Sequence, residues 1–392
     1  MKKLSLIAIL ALTSTQAFCT ENLADAFSNG KVSGEIKSQY FQKEVSDKKV
    51  SIWTNGGNLS YVTGDFYGFK AGITFQVATV TADDLDNALT AYDKDQNVSG
   101  SIASEAYLEY AVSNTSVKAG RQYISTPFIG GSGSRIFKES FEGFVVTNKD
   151  LPNTTLVAAY VDKFQGRTDK ATKAIVNSTS TYDVKAVSDF EQVGDGAYTL
   201  YVNNKSIENL TLEAQYAQIQ DFNTAKNDDV KAFYVAASYN LNPLTFEAQT
   251  YQTDNGETAN SDGKAYGINV MANIDKLSLG AAYTTIDDEA DIVAGLGNAA
   301  DYIYTGSEIY AGIYNADTDS YKLSAGYDLT SDLSLDFIYA AWKTGSNKTQ
   351  SETDYITNYK FTKELSTKFV FATYNNIDDE SYRSRLYVSY KF

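Results

Sequence analysis

From Lys31 to the last residue the chain trades apolar for polar side chains at every second position, and this period of two restricts what it can fold into. Val32, Gly34, Ile36, Ser38 and Tyr40 alternate with Ser33, Glu35, Lys37 and Gln39. Phe69, Ala71, Ile73, Phe75 and Val77 alternate with Lys70, Gly72, Thr74 and Gln76. Leu210, Leu212, Ala214 and Tyr216 alternate with Thr211, Glu213 and Gln215, and residues 277–284 repeat the pattern. At the end, Tyr382, Ser384, Leu386, Val388, Tyr390 and Phe392 alternate with Arg383, Arg385, Tyr387, Ser389 and Lys391. Successive side chains of a strand point to opposite faces, so each segment has one greasy face and one wet face. No comparable helical spacing occurs apart from Asn22 to Phe27. The fold class is all-β.

Eighteen such segments can be marked, from 31–42 and 57–64 to 364–375 and 381–392. Glu308 to Tyr314 is read as loop, because an odd count would break the order of the connections. Eight connections are tight, such as 113–114, 149–152 and 362–363, and they alternate with nine mostly longer ones, such as 43–56, 81–101, 124–140, 164–195 and 287–317. Tight turns on one side and longer loops on the other describe a transmembrane antiparallel up-and-down β-barrel of about 18 strands. A soluble sandwich has no reason to sort its loops this way.

The physics agrees. Hydrocarbon contains no water to satisfy edge amides, so a spanning sheet must close on itself. About ten residues of tilted strand cross it. Eighteen strands enclose water rather than packed side chains, and inward positions rich in Ser, Thr, Gln, Glu, Lys and Arg fit that. Tyr40, Tyr110, Tyr160, Tyr239, Tyr283, Tyr327 and Tyr359 fall towards strand ends, where an interfacial girdle would stand. An even strand count puts both termini on the tight-turn side, which is periplasmic in such barrels.

The first residues read as an address. Lys2 and Lys3 precede an apolar run, Leu4 to Leu12, that is too short to span a bilayer. Thr15-Gln16-Ala17 or Ala17-Phe18-Cys19 then offers small residues for cleavage. The expected organisation is a secretory signal peptide over 1–19 and a barrel over 20–392. A lipidated Cys19 is the rival reading, disfavoured because Phe18 stands where a small residue is wanted. Cleavage after Cys19 removes two of the 33 bases and none of the 49 acids, for a net charge of −18.

Composition then excludes chemistry. The chain has no His and a single Cys, so a Ser-His-Asp triad, a Cys-His dyad and any His-ligated metal are ruled out. The acid excess argues against nucleic acid as a partner. No catalytic residue, cofactor or specific metal site is expected.

A family resemblance adds detail. Residues 117–167 resemble the OprD family of Gram-negative porins. The matching pieces are Lys118-Ala119-Gly120-Arg121-Gln122, Thr126-Pro127-Phe128, Gly131-Ser132-Gly133-Ser134-Arg135, Ser140-Phe141-Glu142-Gly143, Leu151-Pro152-Asn153-Thr154-Thr155-Leu156 and Ala158-Ala159-Tyr160-Val161-Asp162-Lys163-Phe164-Gln165-Gly166-Arg167-Thr168. The terminal Tyr-Val-Ser-Tyr-Lys-Phe also looks like the last strand that outer-membrane assembly machinery recognises. The resemblance implies an eighteen-stranded channel for small polar nutrients, narrowed by a third loop (124–140 here) folded into the lumen. It also implies a row of basic residues that guides carboxylate-bearing solutes. Lys138 departs from the family, whose members often have Pro there.

Selectivity is a matter of charge. Arg383, Arg385, Lys70 and Lys37 share the inward parity of their strands, and Arg135 and Lys138 could reach the narrowing from the third loop, with Glu139 and Glu142 at its exit. Arg121 shares parity with Val117 and Ala119, which would point it at lipid unless it lies beyond the hydrocarbon or the register shifts. Against these bases stand acidic loops. Asp83, Asp84, Asp86, Asp93 and Asp95 lie in 81–101; Asp287, Asp288, Glu289, Asp291, Asp301, Glu308 and Asp317 lie in 287–317. An acidic mouth concentrates cations, so overall charge leans mildly towards cation preference. The expected function is a passive-diffusion porin of the outer membrane. A surface adhesin or structural protein without a transport role is the alternative, and an outer-membrane enzyme is disfavoured by the missing His. The partners are then lipopolysaccharide and the phospholipid bilayer, small polar solutes or ions, and further copies of the chain if it forms a homotrimer.

Overall fold

The computed structural model describes residues 22–45, 48–84, 96–169, 172–173, 183–187, 190–223, 228–254, 262–300, 302–308, 313–375 and 380–392. The signal segment read over 1–19 lies outside them, as do Asp86, Asp93, Asp95 and Asp301 of the acidic loops.

A short helix, α1 (Leu23–Ser28), is capped by Asn22, whose side chain accepts the Ala24 N–H at 2.9 Å. The wall begins with β1 (Lys31–Val45), β2 (Lys48–Val62), β3 (Phe69–Asp84), β4 (Gly100–Val112), β5 (Thr115–Gln122), β6 (Ser140–Asn148) and β7 (Thr154–Gln165). A two-residue ribbon, β8 (Thr172–Lys173) with β9 (Asp183–Val184), stands apart. The wall resumes with β10 (Glu191–Ile207), β11 (Leu210–Asn223), β12 (Asp228–Leu241), β13 (Leu244–Asp254), β14 (Asp262–Ile274) and β15 (Leu277–Ile286). It ends with β16 (Thr318–Asp328), β17 (Leu333–Thr344), β18 (Gln350–Lys360), β19 (Leu365–Asn375) and β20 (Glu380–Lys391).

Each wall strand pairs antiparallel with its neighbours, and the sheet of eighteen strands closes on itself through β1 and β20. In that seam Lys43 stands opposite Arg383, Phe41 opposite Arg385, and Lys37 opposite Ser389. Gly34 and Phe392 exchange both backbone hydrogen bonds, at 3.0 and 3.1 Å. Closure leaves the wall no open edge.

All eighteen expected segments are strands, with two differences at their ends. The first loop, read over 43–56, is mostly strand: β1 runs to Val45 and β2 starts at Lys48. Its inward positions Val50, Ile52 and Thr54 are buried, and this apolar inner face broke the wet-inside pattern. The wall before Ala197 also starts earlier, at Glu191, where the β7–β10 register shifts between Gln192 and Ala197.

Val32, Ile36, Leu59, Leu108, Leu200, Ile268 and Leu323 stand exposed on the outside, as lipid-facing side chains must. Tyr110, Tyr239 and Tyr327 ring the tight-turn end, and Tyr198, Tyr266 and Tyr321 the loop end. The inside is not uniformly polar, which corrects the sequence reading. Two apolar clusters line the arc from β7 through β15, one around Phe141, Val161, Phe164 and Ile219, the other around Tyr234, Tyr251 and Ile286. Two long connections lie against them: L3 (123–139) between β5 and β6, and L7 (287–317) between β15 and β16.

Candidate functional site

L3 turns inward because it carries apolar residues that need cover. Phe128, Ile129, Ile136 and Phe137 are all buried. A tight turn at its start is closed by Thr126 N–H donating to Ile129 O at 2.8 Å. The turn is pinned to the wall by Gln215 of β11, whose Oε1 accepts the Phe128 N–H at 2.9 Å and whose Nε2 donates to Thr126 Oγ1 at 2.8 Å. The wall beneath offers small side chains, Ala197, Ala217 and Ala232, that leave room for a second layer of chain.

L7 is that layer's other half. Gly130 N–H donates to Leu296 O at 3.0 Å, Leu296 N–H to Phe128 O at 2.7 Å, and Ala299 N–H to Gly130 O at 3.0 Å. The approach is close enough that a Cβ on Gly295 would fall 2.2 Å from the Phe128 carbonyl oxygen. Glu139, with no exposed surface, joins the two loops: it accepts N–H groups of Ser132 and Asn298, both at 2.8 Å, and the Asn298 side-chain amide, and lies 3.9 Å from Arg167. Buried, such a carboxylate is tolerable only with this many donors.

Beyond Asn298 L7 crosses to the far wall. Lys322 of β16 donates to the carbonyls of Tyr304 and Gly306, the latter at 3.3 Å. Glu308 then meets Lys368 of β19, its carboxylate oxygens 3.2 and 3.1 Å from Nζ. Its carbonyl accepts from Arg385 Nη1 at 3.3 Å, and its N–H donates to Asp354 Oδ2 at 3.0 Å.

The arc of β19, β20 and β1 is charged, and L3 reaches past it to β3, where Ile136 and Phe137 pack with Ala78. Lys37 and Lys43 of β1, Arg383 and Arg385 of β20 and Lys368 of β19 all have inward parity. From Lys43 to Lys37 the row descends roughly 20 Å at the rise of a strand. The tip of L3 approaches this row. Lys37 Nζ lies 3.5 Å from Arg135 O and 3.3 Å from Glu35, and Arg135 donates to Ser134 Oγ at 3.1 Å. Lys138 N–H donates to Gln76 Oε1 at 2.7 Å, while its ammonium sits 4.0 Å from the Tyr123 ring centroid. Burial pulls that ammonium below the ordinary lysine range, partly opposed by Glu105. Among the described residues no group of three carboxylate or thiol side chains is placed to hold a metal ion.

A closed eighteen-stranded wall, two loops folded inside it and a row of bases on the inner face beside them describe a channel. The family model for outer membrane porins of the OprD family matches residues 80–392. The chain belongs to the OprD family. Solved structures similar to it include Pseudomonas aeruginosa OpdO, with a TM-score of 0.75, 16% identity and coverage of 94% of this chain and 98% of that one. OpdQ of the same organism has a TM-score of 0.74 at 20% identity, covering 93% and 99%. OccK8 (OprE) has a TM-score of 0.73 at 18% identity, covering 93% and 98%. At these identities the likeness concerns the fold. Among curated proteins, none matches the sequence. This OprD-family protein is an outer-membrane porin, whose barrel passes small polar solutes and ions and whose outer face meets membrane lipid.

The structure sorts the residues singled out in the porin's sequence into four groups. Lys37, Arg135 and Lys138 come together where the tip of L3 nears β1, while Arg383 and Arg385 stand farther along the inner face of β20, Arg385 against Glu308 of L7. Glu139 is enclosed between L3, L7 and Arg167 rather than open to the lumen. Lys70 faces inward but stands opposite Glu109 near the tight-turn end, away from the loops. Arg121 and Glu142 are the correction. Their register runs unbroken, Arg121 opposite Glu142, so both share the outward face of Val117, Phe144 and Val146. There Arg121 Nε lies 3.0 Å from Glu142, Lys163 joins at 3.2 Å, and the Arg121 guanidinium stacks 4.2 Å from the Phe190 ring. They form a cluster at the loop end of the outer surface, not a lumen lining.

Sequence reasoning gives Asn298 and Lys368 no role, and reads Arg167 only as part of a motif and Glu308 only as part of an acidic mouth. Lys368 was open to the same parity argument, since Thr367, Phe369 and Phe371 flank it on the outward face. The apolar run Ile292-Val293-Ala294-Gly295-Leu296 inside an acidic loop was the available signal that L7 is buried.

Proposed function

We propose that this porin favours small solutes bearing a carboxylate, drawn along the row Lys43, Arg383, Arg385 and Lys37. The observation that carries the reading is the presence of these bases on the inner face of the adjacent strands β1 and β20, beside the arc against which L3 and L7 pack their apolar residues. A focused positive potential in a low-dielectric wall raises local anion concentration. This proposal reverses the lean towards cations that overall charge suggests, because net charge averages over acids engaged elsewhere. Asp291 accepts the Ala316 N–H at 2.7 Å, and Glu308 is paired with Lys368. The candidate lining is therefore Lys37, Arg135, Lys138, Arg383 and Arg385, with Lys43 and Lys368 added and Arg121 and Glu142 removed.

The proposal extends to the surroundings. Residues 1–19 are a cleaved signal, the termini lie in the periplasm, and lipopolysaccharide packs against the loop end of the outer face. The channel acts without catalysis and without a cofactor. Assembly as a homotrimer is an open arm, read from the mass of the detergent-solubilised particle. The main test is the reversal potential of purified channels in a salt gradient, together with liposome swelling using matched carboxylates, sugars and amines. Anion preference and faster entry of carboxylates are expected, and cation preference would overturn the reading.

A further inference from the structure

We infer that Glu308 is a selectivity determinant of this channel, acting as the counter-charge that L7 delivers to the basic row. The inference rests on the reading of that row as the selective element. Its basis is the placement of one residue against three adjacent strands. The Glu308 carboxylate spans Lys368 Nζ with both oxygens, its carbonyl takes a hydrogen bond from Arg385, and its N–H is held by Asp354. Asp354 has no exposed surface, so this anchor is built into the wall. The approach to Glu308 is also fixed, because Thr305 Oγ1 lies 2.8 Å from Ser320 Oγ and Lys322 holds the carbonyls of Tyr304 and Gly306.

Two consequences follow. Glu308 neutralises Lys368 while keeping part of its own surface in the lumen, at 20% side-chain exposure against 38% for Lys368. It also fixes the guanidinium of Arg385 through its carbonyl, which no side-chain substitution removes. Charge and placement can therefore be separated by mutation. Glu308→Gln keeps the backbone bonds and deletes one negative charge next to the row. Lys368→Met deletes the ammonium and keeps the carboxylate. Exchanging the two, Glu308→Lys with Lys368→Glu, restores a neutral pair.

The experiment measures anion-to-cation permeability ratios from reversal potentials of wild type and these variants, at low and high salt, with the folded barrel verified by its heat-modifiable mobility on gels. Glu308→Gln should raise the ratio about two- to fivefold at low salt, the size expected for one nearby charge in a partly screened lumen. Lys368→Met should lower it by a similar factor, and the exchange should return it to the wild-type value. All shifts should shrink at high salt. Wild-type anion preference with three silent variants would overturn the role of Glu308 alone. A wild-type channel without anion preference would overturn the basic-row reading beneath it.

Discussion

Along β10 to β15 the inner wall presents Ala197, Ala217, Ala232, Ala236, Ala265 and Ala282, whereas along β19, β20 and β1 it presents Lys368, Arg383, Arg385, Lys37 and Lys43. Both arcs belong to one sheet with one register rule. They differ in side-chain size and charge, and that difference decides where the loops go. Short apolar side chains leave space that L3 and L7 fill with Phe128, Ile292 and Leu296, burying apolar surface that water would otherwise cover. Against the long charged side chains the loops make polar contacts instead, Glu308 with Lys368 and Arg385 and the Arg135 carbonyl with Lys37. The channel is therefore placed to one side of the barrel by packing on the other.

Substitutions can break this contrast, and the packed arc should respond most. Phe128 is 2% exposed and Leu296 1%. Replacing either with Ala should cost about 2–5 kcal/mol of local stability. Thermal melting should fall and single-channel conductance should rise and become noisier as L3 and L7 loosen from the wall. Glu139→Gln comes next. It keeps the shape but weakens the charge-assisted bonds to Ser132, Asn298 and Arg167, at about 1–3 kcal/mol. Limited proteolysis within L3 or L7 should then quicken while the barrel stays intact.

The open arc should respond in selectivity instead. Arg383→Ala with Arg385→Ala should move the reversal potential towards cations, with a smaller loss of melting temperature than in the packed arc, since Arg385 is buried and bonded to the Glu308 carbonyl. Lys138 adds a pH dependence whose sign is fixed by its burial. Because burial favours the neutral amine, its charge is lost as pH rises, before an exposed lysine would lose its own. Anion preference should therefore decline early in an alkaline titration, and Lys138→Met should flatten that part of the curve. The smallest effect belongs outside the barrel. Arg121→Ala should cost about 0–1 kcal/mol, the usual worth of an exposed ion cluster, with no change in permeability ratio; a shifted ratio would contradict its outward placement.

Much of this was legible in advance. Parity alone places Lys37, Arg383 and Arg385 on the inner face, because a strand's alternation survives any tertiary arrangement. The same rule warned that Arg121 points outward, and the unbroken register with Glu142 agrees. Only a local register shift would have turned Arg121 inward, and none occurs there. L7 was misjudged for a different reason. Its carboxylates suggest a solvated mouth, yet its apolar centre packs inside and its Glu308 reaches the opposite wall, a contact spanning 60 residues to Lys368.

The chain's own residues determined the strand count, most of the order of short and long connections and the facing of wall side chains away from the register shifts, since these depend on a repeat of two and on a bilayer that forbids open edges. Which arc stays wet, and that Glu139 joins two loops while Glu308 meets Lys368, depended on chain segments far apart in sequence competing for the same interior space. Only the closed barrel defines that space.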